Sequence, residues 1–79
     1  MPKGSDHDPE VIDAELARLR QQFESLASRI RAVERRLANR DFVTRAPAEV
    51  VARERSRRDE LADAVTEMRQ RIERLEEDR

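Results

Sequence analysis

The amino-acid sequence predicts an all-α protein, a two-helix antiparallel coiled-coil hairpin, and three observations point to that fold. Apolar residues recur at alternating intervals of four and three along two stretches, which is the heptad spacing of a coiled coil. The single glycine and the three prolines all lie outside the interiors of those stretches. A connection of about seven residues joins the two stretches, which is short enough to bring neighbouring helices back alongside each other.

The first helix is predicted over about residues 9–39. Asp8 supplies an N-cap acceptor, Pro9 suits the first helical position, and Glu10 places a negative charge in the first turn. The apolar seam of this helix consists of Ile12, Leu16, Leu19, Phe23, Leu26, Ile30, Val33 and Leu37. Because their spacing is unbroken, these side chains share one face, which is expected to pack against the second helix.

The spacing breaks after this seam, so residues 40–46 are predicted to be a loop. Asn39 is expected to be the C-cap of the first helix, since asparagine tolerates a left-handed conformation there. The second helix is predicted over about residues 47–78, with Pro47 in its first turn. Its seam positions are Val51, Glu54, Arg58, Leu61, Val65, Met68, Ile72 and Leu75.

Two of those seam positions are polar. Glu54 and Arg58 lie one helical turn apart, so they either form an intrahelical pair that sets the register or mark a place where the seam opens. The register itself stays open as well. The heptads allow Phe23 to face either Leu61 or Met68.

Composition excludes several classes of function. The chain has 79 residues, room for one small domain and no catalytic cleft, so it is predicted not to be an enzyme and to take no small-molecule substrate. No cysteine is present and His7 has no spaced partner, so neither a metal nor another cofactor is expected. No apolar run is long enough to cross a membrane, and the chain is predicted to be cytoplasmic. Residues 1–8 are predicted to be a disordered tail.

Charge is distributed unevenly along the chain, although the formal net charge is only −1. The segment around the turn, residues 29–58, contains ten arginines and four acidic residues, a formal charge of +6. The remainder, with seven basic and fourteen acidic residues, carries −7. Arginine binds phosphate through a bidentate fork and stacks on exposed bases, so this tip suits a nucleic-acid backbone.

The turn also resembles that of a known family. The pattern consists of Leu37, Ala38, Asn39, Phe42, Val43, Arg45, Ala46, Pro47, Val50, Val51, Glu54 and Arg55. It is similar to the turn of the C-terminal coiled-coil arm of bacterial valyl-tRNA synthetases. Heptad bias cannot create this match, because the pattern runs through the irregular segment between the seams. With a weaker similarity that begins at Val11, the resemblance covers about residues 11–76.

The resemblance implies a non-catalytic arm that contacts the outer corner of the L-shaped tRNA, where the D- and T-loops meet, while other domains carry out the chemistry. The predicted partner is therefore tRNA. The residues predicted to bind RNA are Arg36, Arg40, Phe42, Val43, Arg45, Arg53 and Arg55. The arginines would meet phosphate and sugar, whereas Phe42 and Val43 would present an apolar surface. Phe42 could be either a plug that closes the hairpin or a platform for stacking.

Two other functions remain open on sequence grounds. The hairpin could be a protein–protein module, either an adaptor or half of a four-helix bundle. It could also be a similar arm used on another RNA, such as that of the ribosome. Apolar residues outside the seam are scattered, with no second stripe to demand a partner, which favours a monomer or a weak homodimer.

Overall fold

The structure is a computed structural model that describes residues 8–79, and all regular secondary structure in that range is helical. Helix α1 spans Pro9–Ala38, α2 spans Arg40–Arg45 and α3 spans Ala48–Glu77. The predicted all-α class is confirmed. The predicted tail over residues 1–8, with His7, lies outside the described residues except for Asp8.

Helix α1 begins at the predicted cap. The side chain of Asp8 accepts a hydrogen bond of 2.9 Å from the backbone N–H of Glu10, and Pro9 occupies the first helical position. The Asp8 carbonyl then accepts from the N–H of Ile12, also at 2.9 Å, which starts the helical ladder. These bonds satisfy donors that a helix N-terminus otherwise leaves without partners.

The segment predicted as a loop over residues 40–46 is instead the short helix α2. The side-chain oxygen of Asn39 accepts from the N–H groups of Asp41 and Phe42, at 2.9 and 3.3 Å, and so caps this helix. Asn39 also ends α1, but its φ of −79° is not left-handed, so the predicted conformation was wrong. In this extended conformation, Asn39 ends α1 while its short side chain supplies the hydrogen-bond acceptor that starts α2.

Helix α3 starts one residue after Pro47, whose φ is −57° and ψ is 144°. The Pro47 carbonyl accepts from the N–H groups of Val50 and Val51, at 2.9 and 3.2 Å. Because no side chain caps this end, the proline and its carbonyl define where the helix begins.

The two long helices pack side by side. Each has 30 residues and would be about 45 Å long at ~1.5 Å per residue, and the described residues together measure 61 × 15 × 15 Å. The seam residues of α1 are buried or half-buried throughout. The most deeply buried apolar side chains of the described residues are Ile12, Leu16, Leu19, Val33 and Val51.

Ion pairs from α1 to α3, and to Arg79 just beyond the end of α3, follow a consistent order. Asp13 pairs with Arg79 at 2.9 Å, Arg20 with Glu76 at 2.6 Å, and Arg36 with Glu54 at 2.9 Å. The residue number of the second member of each pair therefore falls as the number on α1 rises.

The contacts favour one of the two registers that the sequence left open. The guanidinium of Arg69 lies 5.7 Å from the centroid of the Phe23 ring, and Arg69 is the residue after Met68. Phe23 also shares a groove with Ile72, one turn beyond Met68. These neighbours fit the pairing of Phe23 with Met68 and not the pairing with Leu61.

The intrahelical pair suggested between Glu54 and Arg58 does not form. Glu54 bonds to Arg36 of the other long helix, and Arg58 bonds to its neighbour Asp59 at 2.9 Å. Since Glu54 faces α1 at a seam position, an arginine across the interface reaches it more directly than one along its own helix.

No helix within residues 8–79 has the length and apolar character needed to cross a membrane.

Candidate nucleic-acid interface

The arginine-rich tip, residues 29–58, comprises the end of α1, all of α2 and the start of α3. Nine of its ten arginines are exposed, and Arg58 is half-buried. Within residues 8–79, only Arg36 and Arg58 of this set form ion pairs. The other eight, exposed and without an acidic partner within 4 Å in that range, are Arg29, Arg31, Arg35, Arg40, Arg45, Arg53, Arg55 and Arg57.

One contact joins all three helices at the tip. Arg36 of α1 donates from Nη1 to Oε2 of Glu54 on α3, and its guanidinium lies 6.0 Å from the centroid of the Phe42 ring on α2. Glu54 retains only 14% of its side-chain exposure, whereas Arg36 retains 56%. The carboxylate is therefore largely covered, while the guanidinium still reaches solvent.

A shallow groove lies beside this contact. It is lined by Arg36, Phe42, Val50, Arg53, Glu54, Ser56, Arg57 and Glu60. Three arginines surround a half-buried aromatic ring and a serine hydroxyl there, so the groove can offer both phosphate-binding donors and an apolar surface.

The groove brings together three of the residues predicted to bind RNA, Arg36, Phe42 and Arg53. Arg55 does not line it. Arg55 follows Arg53 by two positions, and in a helix of ~3.6 residues per turn this places its side chain on nearly the opposite face.

The three remaining predicted residues belong to α2. Arg40 and Arg45 are exposed at its two ends, and Val43 is half-buried. All three lie outside the lining of the groove. The tip thus presents arginines in several directions and not on a single face.

Sequence reasoning missed Arg57, which lines this groove and a second one between α1 and α3 that includes Arg29 and Val33. The signal was present in the spacing, because Arg57 follows Arg53 by four positions and so shares its face of α3.

Phe42 is half-buried, and its backbone N–H and carbonyl are both engaged, the first with Asn39 and the second with Ala46 at 2.9 Å. Its ring lies below the guanidinium of Arg36 and lines the groove. The residue therefore packs within the tip while leaving part of its surface open to the groove.

No set of three His, Cys, Asp or Glu side chains within residues 8–79 is grouped closely enough to hold a metal ion. The tip offers guanidinium donors and an apolar ring.

Comparison with known proteins identifies the family. The family described as "Valyl tRNA synthetase tRNA binding arm" matches residues 12–76, from the first buried seam residue of α1 almost to the end of α3. The chain belongs to this family. The predicted resemblance to the tRNA-binding arm of valyl-tRNA synthetases is confirmed.

Three curated relatives show how the arm compares with whole proteins. It is 47% identical over 53 residues to a valine–tRNA ligase of Nitratidesulfovibrio vulgaris, a match that covers 67% of this chain. It is 41% identical over 64 residues (81% of this chain) to that of Zymomonas mobilis, and 34% identical over 65 residues (82%) to that of Lacticaseibacillus casei. These matches span only 6%, 7% and 7% of the relatives' own lengths. No solved structure matches the arm.

Proposed function

We propose that this arm binds tRNA through its arginine-rich tip, at the outer corner where the D-loop meets the T-loop. One observation carries the proposal: within a family of tRNA-binding arms, this chain holds eight exposed arginines at the tip that have no acidic partner among residues 8–79. Because these guanidinium groups do not form ion pairs within the described residues, they are available to bind phosphate.

The chemistry of the tip suits a folded RNA corner. There, phosphates from separate loops come close together and bases present unstacked faces, which arginine and aromatic groups recognise by shape and stacking. The groove with Arg53, Arg57 and Phe42 offers both kinds of contact. With one aromatic ring at the tip, the arm recognises the shape of the RNA and not its sequence.

The proposal includes the way the tip is presented. The two long helices form an antiparallel coiled-coil hairpin, so that α2 lies at one end of a rod and the two chain ends lie at the other. The falling order of the ion-pair partners, from Asp13–Arg79 to Arg36–Glu54, supports this arrangement. A stiff rod holds the basic end away from the acidic remainder of the chain.

The arm itself carries no catalytic activity in this proposal, and its role in a cytoplasmic ligase is to add binding free energy for tRNA. It is a monomer or a weak homodimer on its own. Val11, at 49% exposure, is the one large apolar side chain of the described residues that stands out as exposed, which gives a partner protein little to bury.

A titration with tRNA tests the role of the tip. Arg40→Gln combined with Arg45→Gln removes two charges from α2. As a matched control, Arg71→Gln combined with Arg74→Gln removes two charges from the C-terminal part of α3, away from the tip. We expect the first pair to weaken binding about tenfold at low salt and the second pair by less than about twofold.

The position on the RNA needs a separate experiment. A tRNA whose D- and T-loops can no longer interact should compete about tenfold less well than intact tRNA for the arm. Equal competition by both RNAs would contradict the proposed corner contact. Equal losses from both arginine pairs would contradict the role of the tip, and tight dimerisation in light scattering would favour a protein–protein module.

A further inference from the structure

Glu54 occupies an unusual place for a carboxylate. It stands at a seam position of α3 where the heptad calls for an apolar side chain, and only 14% of its side chain is exposed. A covered carboxylate is costly unless it has a charged hydrogen-bond partner. Arg36 provides one across the helix interface, at 2.9 Å.

The partner of Glu54 in turn faces the short helix. The guanidinium of Arg36 lies over the Phe42 ring at 6.0 Å, within reach of a cation–π contact. One side chain from each helix therefore forms a continuous chain of contacts, from Glu54 on α3 through Arg36 on α1 to Phe42 on α2.

Helix α2 depends on such contacts for its position. Its six residues are far too few for a helix to be stable by itself, and it contains no fully buried side chain. Asn39 caps its first turn, and Phe42 and Val43 are half-buried. The Arg36 contact is the polar tie that links this helix to both long helices.

We propose that Glu54 is a positioning residue for the RNA-binding tip: by holding Arg36 over Phe42, it fixes α2 and its arginines relative to the arginines of α3. This inference rests on the proposed function of the tip. Glu54 itself touches no RNA in this scheme. It acts by preorganising the surface that does, which reduces the ordering that binding would otherwise require.

The rival explanation predicts the opposite sign. If Glu54 only places a negative charge in a basic surface, its removal raises the tip charge and frees Arg36, so RNA should bind more tightly. If Glu54 positions α2, its removal should weaken binding despite the more favourable charge.

The test compares two substitutions with the same change of charge. Glu54→Gln removes the covered carboxylate, and Glu34→Gln removes an exposed one on α1 that has no ion pair within residues 8–79. We expect Glu54→Gln to weaken tRNA binding about fivefold and Glu34→Gln to leave it unchanged or slightly tighter. In an Arg36→Gln background, Glu54→Gln should cause no further loss, because the tie is already broken.

A third variant separates positioning from overall stability. Glu54→Leu restores an apolar seam, so its melting temperature should equal or exceed that of the unsubstituted arm while its tRNA binding still falls. Binding by Glu54→Gln or Glu54→Leu that equals or exceeds that of the unsubstituted arm would overturn the inference.

NMR spectroscopy tests whether Glu54 positions α2 independently of tRNA binding. If the arm did not bind tRNA, that result would refute only the proposed function. The NMR signals of the Phe42 ring and the amide exchange of α2 should change in Glu54→Gln and not in Glu34→Gln. Unchanged signals in both variants would show that Glu54 does not position α2.

Discussion

The guanidinium of Arg69 lies 5.7 Å from the centroid of the Phe23 ring, which joins the middle of α1 to α3. The contact fits the pairing of Phe23 with Met68 and not the pairing with Leu61, which lies one heptad away. At ~1.5 Å per residue, that choice moves one long helix by about 10 Å along the other. It therefore determines which groups of the tip face each other.

Crosslinking tests this register directly, since the chain has no native cysteine to interfere. Phe23→Cys with Met68→Cys should react rapidly with a short bifunctional thiol reagent to give an internally linked monomer, detected by mass spectrometry. Phe23→Cys with Leu61→Cys should react slowly, because the sulfurs are about a heptad out of register. Faster linkage of the Leu61 pair would contradict the register.

Much of the fold could be predicted because heptad spacing shows which side chains lie on the same face of a helix. The seam from Ile12 to Leu37 is buried or half-buried along its whole length. The register could not be predicted, since any heptad can slide by seven residues onto an equivalent set of apolar neighbours.

The tip was harder to predict for the same reason. Glu54 has an arginine four residues along its own helix, and the sequence leaves that local pair as one of two alternatives. Its actual partner, Arg36, lies 18 residues away and becomes a neighbour only once the register is known. Helix α2 was missed because its sequence shows no periodic pattern, although Asn39 followed by Asp41 was a cap signal. Whether the seven predicted residues bind RNA stays a prediction.

A matched pair of valines tests the burial of the seam. Val51→Ala removes two methyl groups at a position that is 5% exposed, and should lower the free energy of unfolding by about 2 kcal/mol. Val11→Ala makes the same chemical change in a helix at 49% exposure, and should be neutral or slightly stabilising, because alanine has the higher helix propensity. Urea denaturation followed by circular dichroism measures both, and equal losses would contradict the buried position of Val51.

The cap of α2 gives a second stability prediction. Asn39→Ala removes the acceptor for the N–H groups of Asp41 and Phe42 and should cost about 1 kcal/mol, with faster exchange of those two amides. Asn39→Asp keeps an acceptor at the same place and should preserve the protection of both. If the alanine variant exchanged these amides at the original rate, the cap would not be holding α2.

Acid should weaken a pair near the start of α1. The hydrogen bond from Arg18 to Glu15, at 2.6 Å, lowers the pKa of the Glu15 carboxyl below its ordinary value. Desolvation opposes this shift, whereas the charges of Arg18 and Arg71 add to it. Because the folded pKa is the lower one, the stabilisation is present above the ordinary value of about 4.3 and disappears as the pH falls through the folded pKa.

The measurement is the melting temperature between about pH 6 and pH 3. Glu15→Gln should lower it at the upper end of this range and make no difference at the lower end. Glu24 is an exposed acid of α1 without an ion pair within residues 8–79, so Glu24→Gln serves as the control. This variant should show the same change in melting temperature across the pH range as the unsubstituted arm. A Glu15→Gln curve parallel to that of the unsubstituted arm would show that the pair adds no pH-dependent stability.

Salt should control the affinity of the arm for tRNA. If the tip neutralises about four phosphates, the logarithm of the association constant should fall against the logarithm of salt concentration with a slope of roughly −3 to −4. Arg53→Gln removes an exposed arginine of the groove and should make this salt slope less steep by about one unit. Arg74→Gln, in the last turn of α3, should leave the slope unchanged. Filter binding at four or five salt concentrations gives these slopes. A slope near zero would mean that phosphate contacts do not hold the tip on RNA, however tightly the two molecules associate.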